Sequence, residues 1–380
     1  MRLLFSCAEL GLGHVSRIIP LGKKLEKKQN ELFFFSGGTA YQLLRKEFKN
    51  VFPCTPVGWY EDAHGISTSL SLMNILLPLP HIQHETNNLK IKSSSAMETI
   101  QRYYDLRRHI RKIKPDLIVS DGDMHALRLA QRWKIPSVYV TNIIRPSYDF
   151  SPLLIPGERF TESYVKKSSK IIVPDNPPPY TICEYNLGDL NAMEIVDKVD
   201  FVGSFIDMTV VEGAEEHIFA PISGPLGTRA KLYQIIIPAL KKLETKSIVS
   251  LGVPGKKTRT KVGNCEIHSW LSYQEREEFM RNSKMIIFSG GHATCLETIK
   301  YAKPSICVPT QSEQTNNAKK MEDLNCSIMA KNEEQLKKAI QRIEGKRQFY
   351  SSNAKALNRY SSKFKGAEKA VAVIEDLAKK

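Results

Sequence analysis

The feature that most constrains this chain is an alternation that runs through twice. Short continuous apolar stretches, separated by helical patterns, occupy residues 3–7, 32–36, 51–54, 117–120, 137–141, 170–173 and 199–202. The pattern restarts at 218–222, 247–251, 265–268, 285–288, 305–308 and 326–329. Strands that are apolar throughout, with helices between them, belong in a parallel sheet covered on both faces. Two such series in 380 residues predict two Rossmann-like, doubly wound α/β domains, each large enough for its own core. Gly203–Glu216 is the expected linker. Doubly wound sheets bind ligands beyond the carboxyl ends of their strands, so the two domains are expected to face each other across a cleft.

Composition narrows the class. With 42% hydrophobic and 25% charged residues the chain is an ordinary globular one. The excess of 55 Lys+Arg over 40 Asp+Glu, a net charge of +15, suits an anionic partner: phosphates, an acidic membrane surface or nucleic acid. The seven cysteines are odd in number and lack metal-ligand spacing, so buried free thiols in a reducing cytosol are expected. Met1–Phe5 runs into a loop too early for a signal peptide, and no segment approaches the roughly 20 apolar residues that span a bilayer. A cytoplasmic chain, possible on the membrane face as a peripheral protein, is the expectation.

Chemistry concentrates in residues 285–317, MIIFSGGHATCLETIKYAKPSICVPTQSEQTNN. A strand enters the glycine turn Ser289-Gly290-Gly291-His292, a helix starts at once, and Glu297 lies one turn in. A glycine turn at a helix N-terminus is an anion site, because free N–H groups and the positive dipole end converge there. A carboxylate just beyond suits a ribose diol, and the polar loop Gln311–Gln314 after the next strand can reach a group attached beyond the phosphates. Phosphate, ribose and a hydroxyl-rich group together describe a nucleotide-sugar.

In this order of elements, and at Gly11-Leu12-Gly13-His14, Gly224–Arg229 and Trp270–Asn317, the chain resembles GT-B glycosyltransferases. It is similar above all to the MurG-type N-acetylglucosaminyltransferases and their archaeal relatives, and to the wider UDP-glycosyltransferase superfamily. The resemblance implies a UDP-sugar donor. Gly224, Gly227 and Arg229 match the G-x-x-G-x-R loop of MurG-like enzymes, where glycines admit the diphosphate and the arginine neutralises it. Gly290, Gly291, His292 and Thr294 are expected to hold the phosphates from another side, with helix capping as the other role for His292. Plant-type enzymes carry a histidine where Ser289 stands. Glu297 aligns with the glutamate that binds ribose. Trp270 stands, one residue out of register, at the tryptophan that stacks on uracil. Gln311, Glu313 and Gln314 are the expected donor-sugar ligands, with Asn317 structural. The last segment, 359–380, is expected to cross back from a C-terminal domain 205–358 onto an N-terminal domain 1–204.

On the acceptor side, Gly11 and Gly13 clear space and His14 is the candidate base, oriented by Asp121 with Asp123 as runner-up. Binding an acceptor phosphate is the alternative role for His14. Asp121-Gly122-Asp123 imitates the D-x-D metal motif, but that motif belongs to another fold, and no metal or other cofactor is expected. The implied reaction is a direct, inverting displacement. An apolar stretch at 66–80 and the basic helix expected at Arg102–Lys114 suit an anionic membrane surface and a lipid or lipid-phosphate acceptor. Two rivals remain: a non-hydrolysing UDP-N-acetylglucosamine 2-epimerase-like isomerase, and a basic nucleic-acid-binding protein. No nucleic-acid module is recognisable, so nucleic acid is not an expected partner.

Overall fold

A computed structural model describes residues 1–9, 13–55, 61–62, 65–66, 83–86, 89–92, 96–147, 155–209, 211–224, 226–253 and 257–379. Gly11 and the apolar stretch 67–80 lie outside the described residues.

The first sheet is built from β1 (Arg2–Cys7), β2 (Glu31–Ser36) and β3 (Val51–Pro53). Two small hairpins follow, β4 (Glu61–Asp62) with β5 (Gly65–Ile66) and β6 (Gln83–Thr86) with β7 (Leu89–Lys92). The sheet resumes with β8 (Leu117–Asp121), β9 (Ser137–Val140), β10 (Lys170–Val173) and β11 (Val199–Phe201). Its order is β11-β10-β9-β8-β1-β2-β3, parallel throughout. Helices α1 (Gly13–Lys27), α2 (Gly38–Glu47), α3 (Ala96–Ile113), α4 (Met124–Trp133), α5 (Ile155–Val165) and α6 (Glu184–Leu187) complete this half. Apolar side chains fill both faces: Leu3, Phe5, Val119 and Phe34 on one, Leu4, Phe35 and Ile118 on the other.

The second sheet holds β12 (His217–Pro221), β13 (Ser247–Ser250), β14 (Arg259–Val262), β15 (Cys265–His268), β16 (Ser283–Phe288), β17 (Ser305–Cys307) and β18 (Ser327–Met329). Its order is β14-β15-β13-β12-β16-β17-β18. All pairs are parallel except β14, an antiparallel edge strand on β15 that the apolar pattern did not predict. Helices α7 (Leu226–Leu240), α8 (Tyr273–Arg281), α9 (His292–Lys300), α10 (Ser312–Asp323), α11 (Glu333–Gly345) and α12 (Arg347–Ser361) surround it. The last helix, α13 (Gly366–Ala378), leaves this half. Its Ala367, Ala370, Val371 and Ile374 are buried in the same cluster as Leu3, Leu21 and Phe5 of the first domain.

Strand order reverses between β1 and β8 in the first sheet and between β12 and β16 in the second. Loops leaving neighbouring strands diverge to opposite faces at such a point and open a crevice. The carboxyl ends of the two sheets meet, joined by Asn142 to Glu313, Asp175 to His292 and Asn186 to Asn317.

Candidate active site

In the first crevice, β1 leads through residues 10–12 to α1, and β8 ends at Asp121, in register with Cys7. That register sets His14 beside Asp121. The ring Nδ1 lies 2.6 Å from Asp121 Oδ1, and His14 is about a quarter exposed (25%) while Asp121 is fully buried. Gly122 makes room for the ring: a Cβ there would stand 2.8 Å from His14 Cε1. Gly13 opens α1 on the exposed side, with nothing within 4 Å of where a Cβ would be.

Arg17, one turn after His14, grips the same carboxylate. Its Nε donates to Asp121 Oδ2 at 2.6 Å and a terminal nitrogen donates to Oδ1. Burial alone would push the Asp121 carboxyl up, but Arg17 and then His14 hold it below its ordinary value. With Asp121 ionised, His14 Nδ1 carries the proton and donates it to the carboxylate, which leaves Nε2 as the acceptor.

Asp123 turns elsewhere. It accepts from Ser6 Oγ (2.5 Å) and from Arg102 (2.9 and 3.1 Å), and it caps α4 by accepting from the His125 N–H. It therefore does not orient His14. Arg102, read from sequence as part of a basic surface, is fully buried. The reason is this ion pair, together with a bond from Arg102 to the Thr55 carbonyl at 2.7 Å. The basic face of α3 begins further along, where Tyr104, Arg107, Arg108 and Arg111 line a surface hollow.

Three loops converge in the second crevice. Thr228, in the first turn of α7, has its hydroxyl 3.5 Å from Thr310 and 3.3 Å from Gln311 Nε2. Gly290 has φ +86° and sits so close to α10 that a Cβ would lie 2.8 Å from the Gln314 carbonyl oxygen. Asn317 Nδ2 donates to the Gly290 carbonyl at 3.0 Å. The N-termini of α7, carrying Gly227, and of α9, capped by Gly291, thus flank one region, which favours negative charge. Arg229 stands there but braces the loops, donating to the carbonyls of Gly224 (2.6 Å) and Gly252 (2.7 Å).

Several predicted ligands already have protein partners. The His292 ring is buried and its Nε2 lies 2.9 Å from Asp175 Oδ2 of the first domain. Its side chain is an interdomain contact, and the cap position of α9 is taken by Gly291 and not by His292. Gln314 is buried with Oε1 accepting from Thr310 N–H (2.9 Å) and Oγ1 (3.0 Å), which draws its amide back into the loop. Glu313 Oε1 accepts from Asn142 (2.9 Å) and Asn317 (3.1 Å). Glu297 is held by both terminal nitrogens of Arg276, so any diol must share its remaining lone pairs. Thr294 is buried on the first turn of α9, and Trp270 is half-buried between β15 and α8.

The likeness to known proteins follows this geometry. Residues 229–371 match the model of the glycosyltransferase family 28 C-terminal domain. An uncharacterized glycosyltransferase of Methanosarcina acetivorans is 25% identical over 339 residues, covering 84% of this chain and 83% of the relative. The chain has the GT-B fold and is similar to glycosyltransferases along most of its length. Among solved structures, MurG of Acinetobacter baumannii aligns with a TM-score of 0.60 at 12% identity, over 99% of each chain. The spinosyn rhamnosyltransferase SpnG, complexed with thymidine diphosphate, aligns with 0.67 at 12% identity, over 99% of this chain and 100% of that one. At these identities the structures speak for the fold.

Within this GT-B chain, the group of described residues best able to take a metal is Asp175, Cys183 and His292, buried and with ligand atoms within 4.8 Å of one another. Hydrogen bonds already occupy it: Asp175 Oδ2 accepts from His292 and from the Cys183 N–H at 2.9 Å. Burial and then Asp175 push the Cys183 thiol well above its ordinary value, away from the thiolate a metal needs. All seven cysteines are free and buried. Arg17, Asn142, Asp175 and Arg276 were not singled out from sequence. Only Arg17 left a signal, three residues after His14 and so on the same face of its helix.

Proposed function

We propose that this glycosyltransferase moves a sugar from a UDP-sugar to an acceptor hydroxyl or phosphate by direct inverting displacement, without a metal. The observation that carries the reading is the His14–Asp121 pair at one switch point, facing the converging glycine loops at the other. His14 Nε2 takes the acceptor proton as the acceptor oxygen attacks the anomeric carbon. The bond from that carbon to the diphosphate breaks, and the nucleoside diphosphate leaves. The N-termini of α7 and α9, with Arg229, stabilise the departing charge. Glu297 takes the ribose, Trp270 the base and Gln311 and Glu313 the sugar. The thymidine diphosphate bound by the similar rhamnosyltransferase supports a nucleoside diphosphate here and leaves its base to experiment.

The acceptor is a lipid or lipid-phosphate, reached from the cytoplasmic face of the membrane by peripheral contact. The support is the arginine-lined hollow on α3 and the similarity to MurG. No helix among the described residues is long and apolar enough to cross a membrane.

Calorimetric titration with UDP, GDP and dTDP, with and without magnesium, tests the donor side. UDP binding without magnesium, weakened in Glu297→Ala, is expected; no binding of any of the three would remove the reading. With a turnover assay, His14→Ala should slow transfer by about 10²–10⁴-fold while leaving UDP affinity unchanged. Full turnover in that variant would end the base assignment.

A further inference from the structure

Resting on the transferase reading, we propose that Arg17 is a positioning residue for the His14 base and that, through Asn142, it ties this base to the donor domain. An unbroken chain of contacts carries the inference. His14 Nδ1 meets Asp121 Oδ1 at 2.6 Å, and Arg17 holds both oxygens of that carboxylate. The other terminal nitrogen of Arg17 donates to Asn142 Oδ1 at 2.8 Å. Asn142 Nδ2 donates to Glu313 Oε1 at 2.9 Å, across the cleft. Asn317 then joins Glu313 to the Gly290 carbonyl at the glycine turn. The amide of Asn142 fits in one orientation only, since guanidinium offers donors alone and carboxylate acceptors alone.

Arg17 acts on His14 in two ways. It fixes Asp121 by a two-point grip, so the carboxylate presents one lone pair to Nδ1 in a single direction. It also opposes Asp121 electrostatically. One terminal nitrogen of Arg17 lies 3.1 Å from His14 Nδ1, so an imidazolium would meet a guanidinium as well as a carboxylate. A histidine beside an uncompensated carboxylate is pulled toward the protonated form, which cannot accept a proton. Arg17 thus opposes the charge an imidazolium would bring to Nδ1, and the Nδ1–Asp121 bond leaves Nε2 turned away from the carboxylate as the acceptor. Among the described residues, other titratable groups that feel Arg17 are the Cys7 thiol on β1, the Tyr139 hydroxyl on β9 and the Cys183 thiol, all pushed up by burial and neutral near pH 7.

The test uses the full chain labelled with ¹⁵N-histidine, with the His14 signal identified by its absence in His14→Gln. Without ligand, the His14 titration midpoint should rise in Arg17→Gln by about one pH unit or more. Arg17→Lys keeps the charge but loses the two-point grip, and should bring most of that shift back. Addition of UDP should move the His14 signal in the wild type and leave it still in Asn142→Ala, while calorimetry shows UDP bound in both. An unchanged midpoint in both Arg17 variants overturns the positioning role. An equal UDP response in Asn142→Ala overturns the tie to the donor domain. A chain that binds no UDP sinks the donor reading and the tie together, while the ligand-free titration still judges Arg17.

Discussion

Asp121 and Asp123 sit two residues apart and are each claimed by an arginine from a distant helix, Arg17 for one and Arg102 for the other. Both carboxyls are fully buried, and in both the upward push of burial is outweighed by the arginine acting together with a neighbouring histidine and side-chain hydrogen bonds. Truncating one partner of a buried pair strands the other charge, so Asp123→Ala should cost about 3–5 kcal/mol in urea unfolding. A cost under about 1 kcal/mol would mean that Arg102 finds another partner. The pH dependence follows from the same pairs. A carboxyl with a depressed folded value stabilises the fold above its unfolded value of about 3.9, and that contribution is lost as pH falls through the folded value. The unfolding free energy should therefore drop with acid below about pH 4. The drop should be shallower in Asp123→Asn, which removes one of the titrating groups.

Among the elements, the turn between β16 and α9 depends most tightly on its residue type. Gly290→Ala would put a side chain in a left-handed conformation and against the α10 backbone at 2.8 Å. A destabilisation of about 1–3 kcal/mol is expected, read as a lower melting temperature together with weakened UDP binding. Unchanged melting would show that α10 can shift to admit the methyl group. The strands framing this turn were legible because each is a continuous apolar run. Arg259–Val262 was not, since all four residues of that edge strand are exposed and spell a polar loop. The site was legible where chemistry sits at a strand end, as with His14, Asp121 and the glycine turns. Where function depends on which helix reaches which loop, sequence was silent. Arg17 reaches Asn142 over 125 residues, and His292 reaches Asp175 over 117. No local period encodes such pairings, and the charge of Arg102 suggested solvent where the fold supplied a buried aspartate.

Across the two domains, α13 belongs to the second half of the chain by sequence and to the first by packing. Val371 and Ile374 are buried there, and each such side chain contributes about 1.5–3 kcal/mol. Ending the chain at Ser362 should therefore lower the stability of the first domain by several such increments. Calorimetry should show its transition shifted down more than that of the second domain. A uniform shift of both would mean that α13 stabilises the domain contact instead. The two passages of the chain between the domains touch each other: a Cβ on Gly203 would overlap Phe364, and one on Gly366 would lie 2.3 Å from the carbonyl oxygens of Gly203 and Ser204. Two tethers pinned at a common point behave as one pivot. The domains then keep the freedom to turn about that point but not to separate or slide, so any opening of the cleft is a rotation whose widest travel falls on the loops farthest from Gly203.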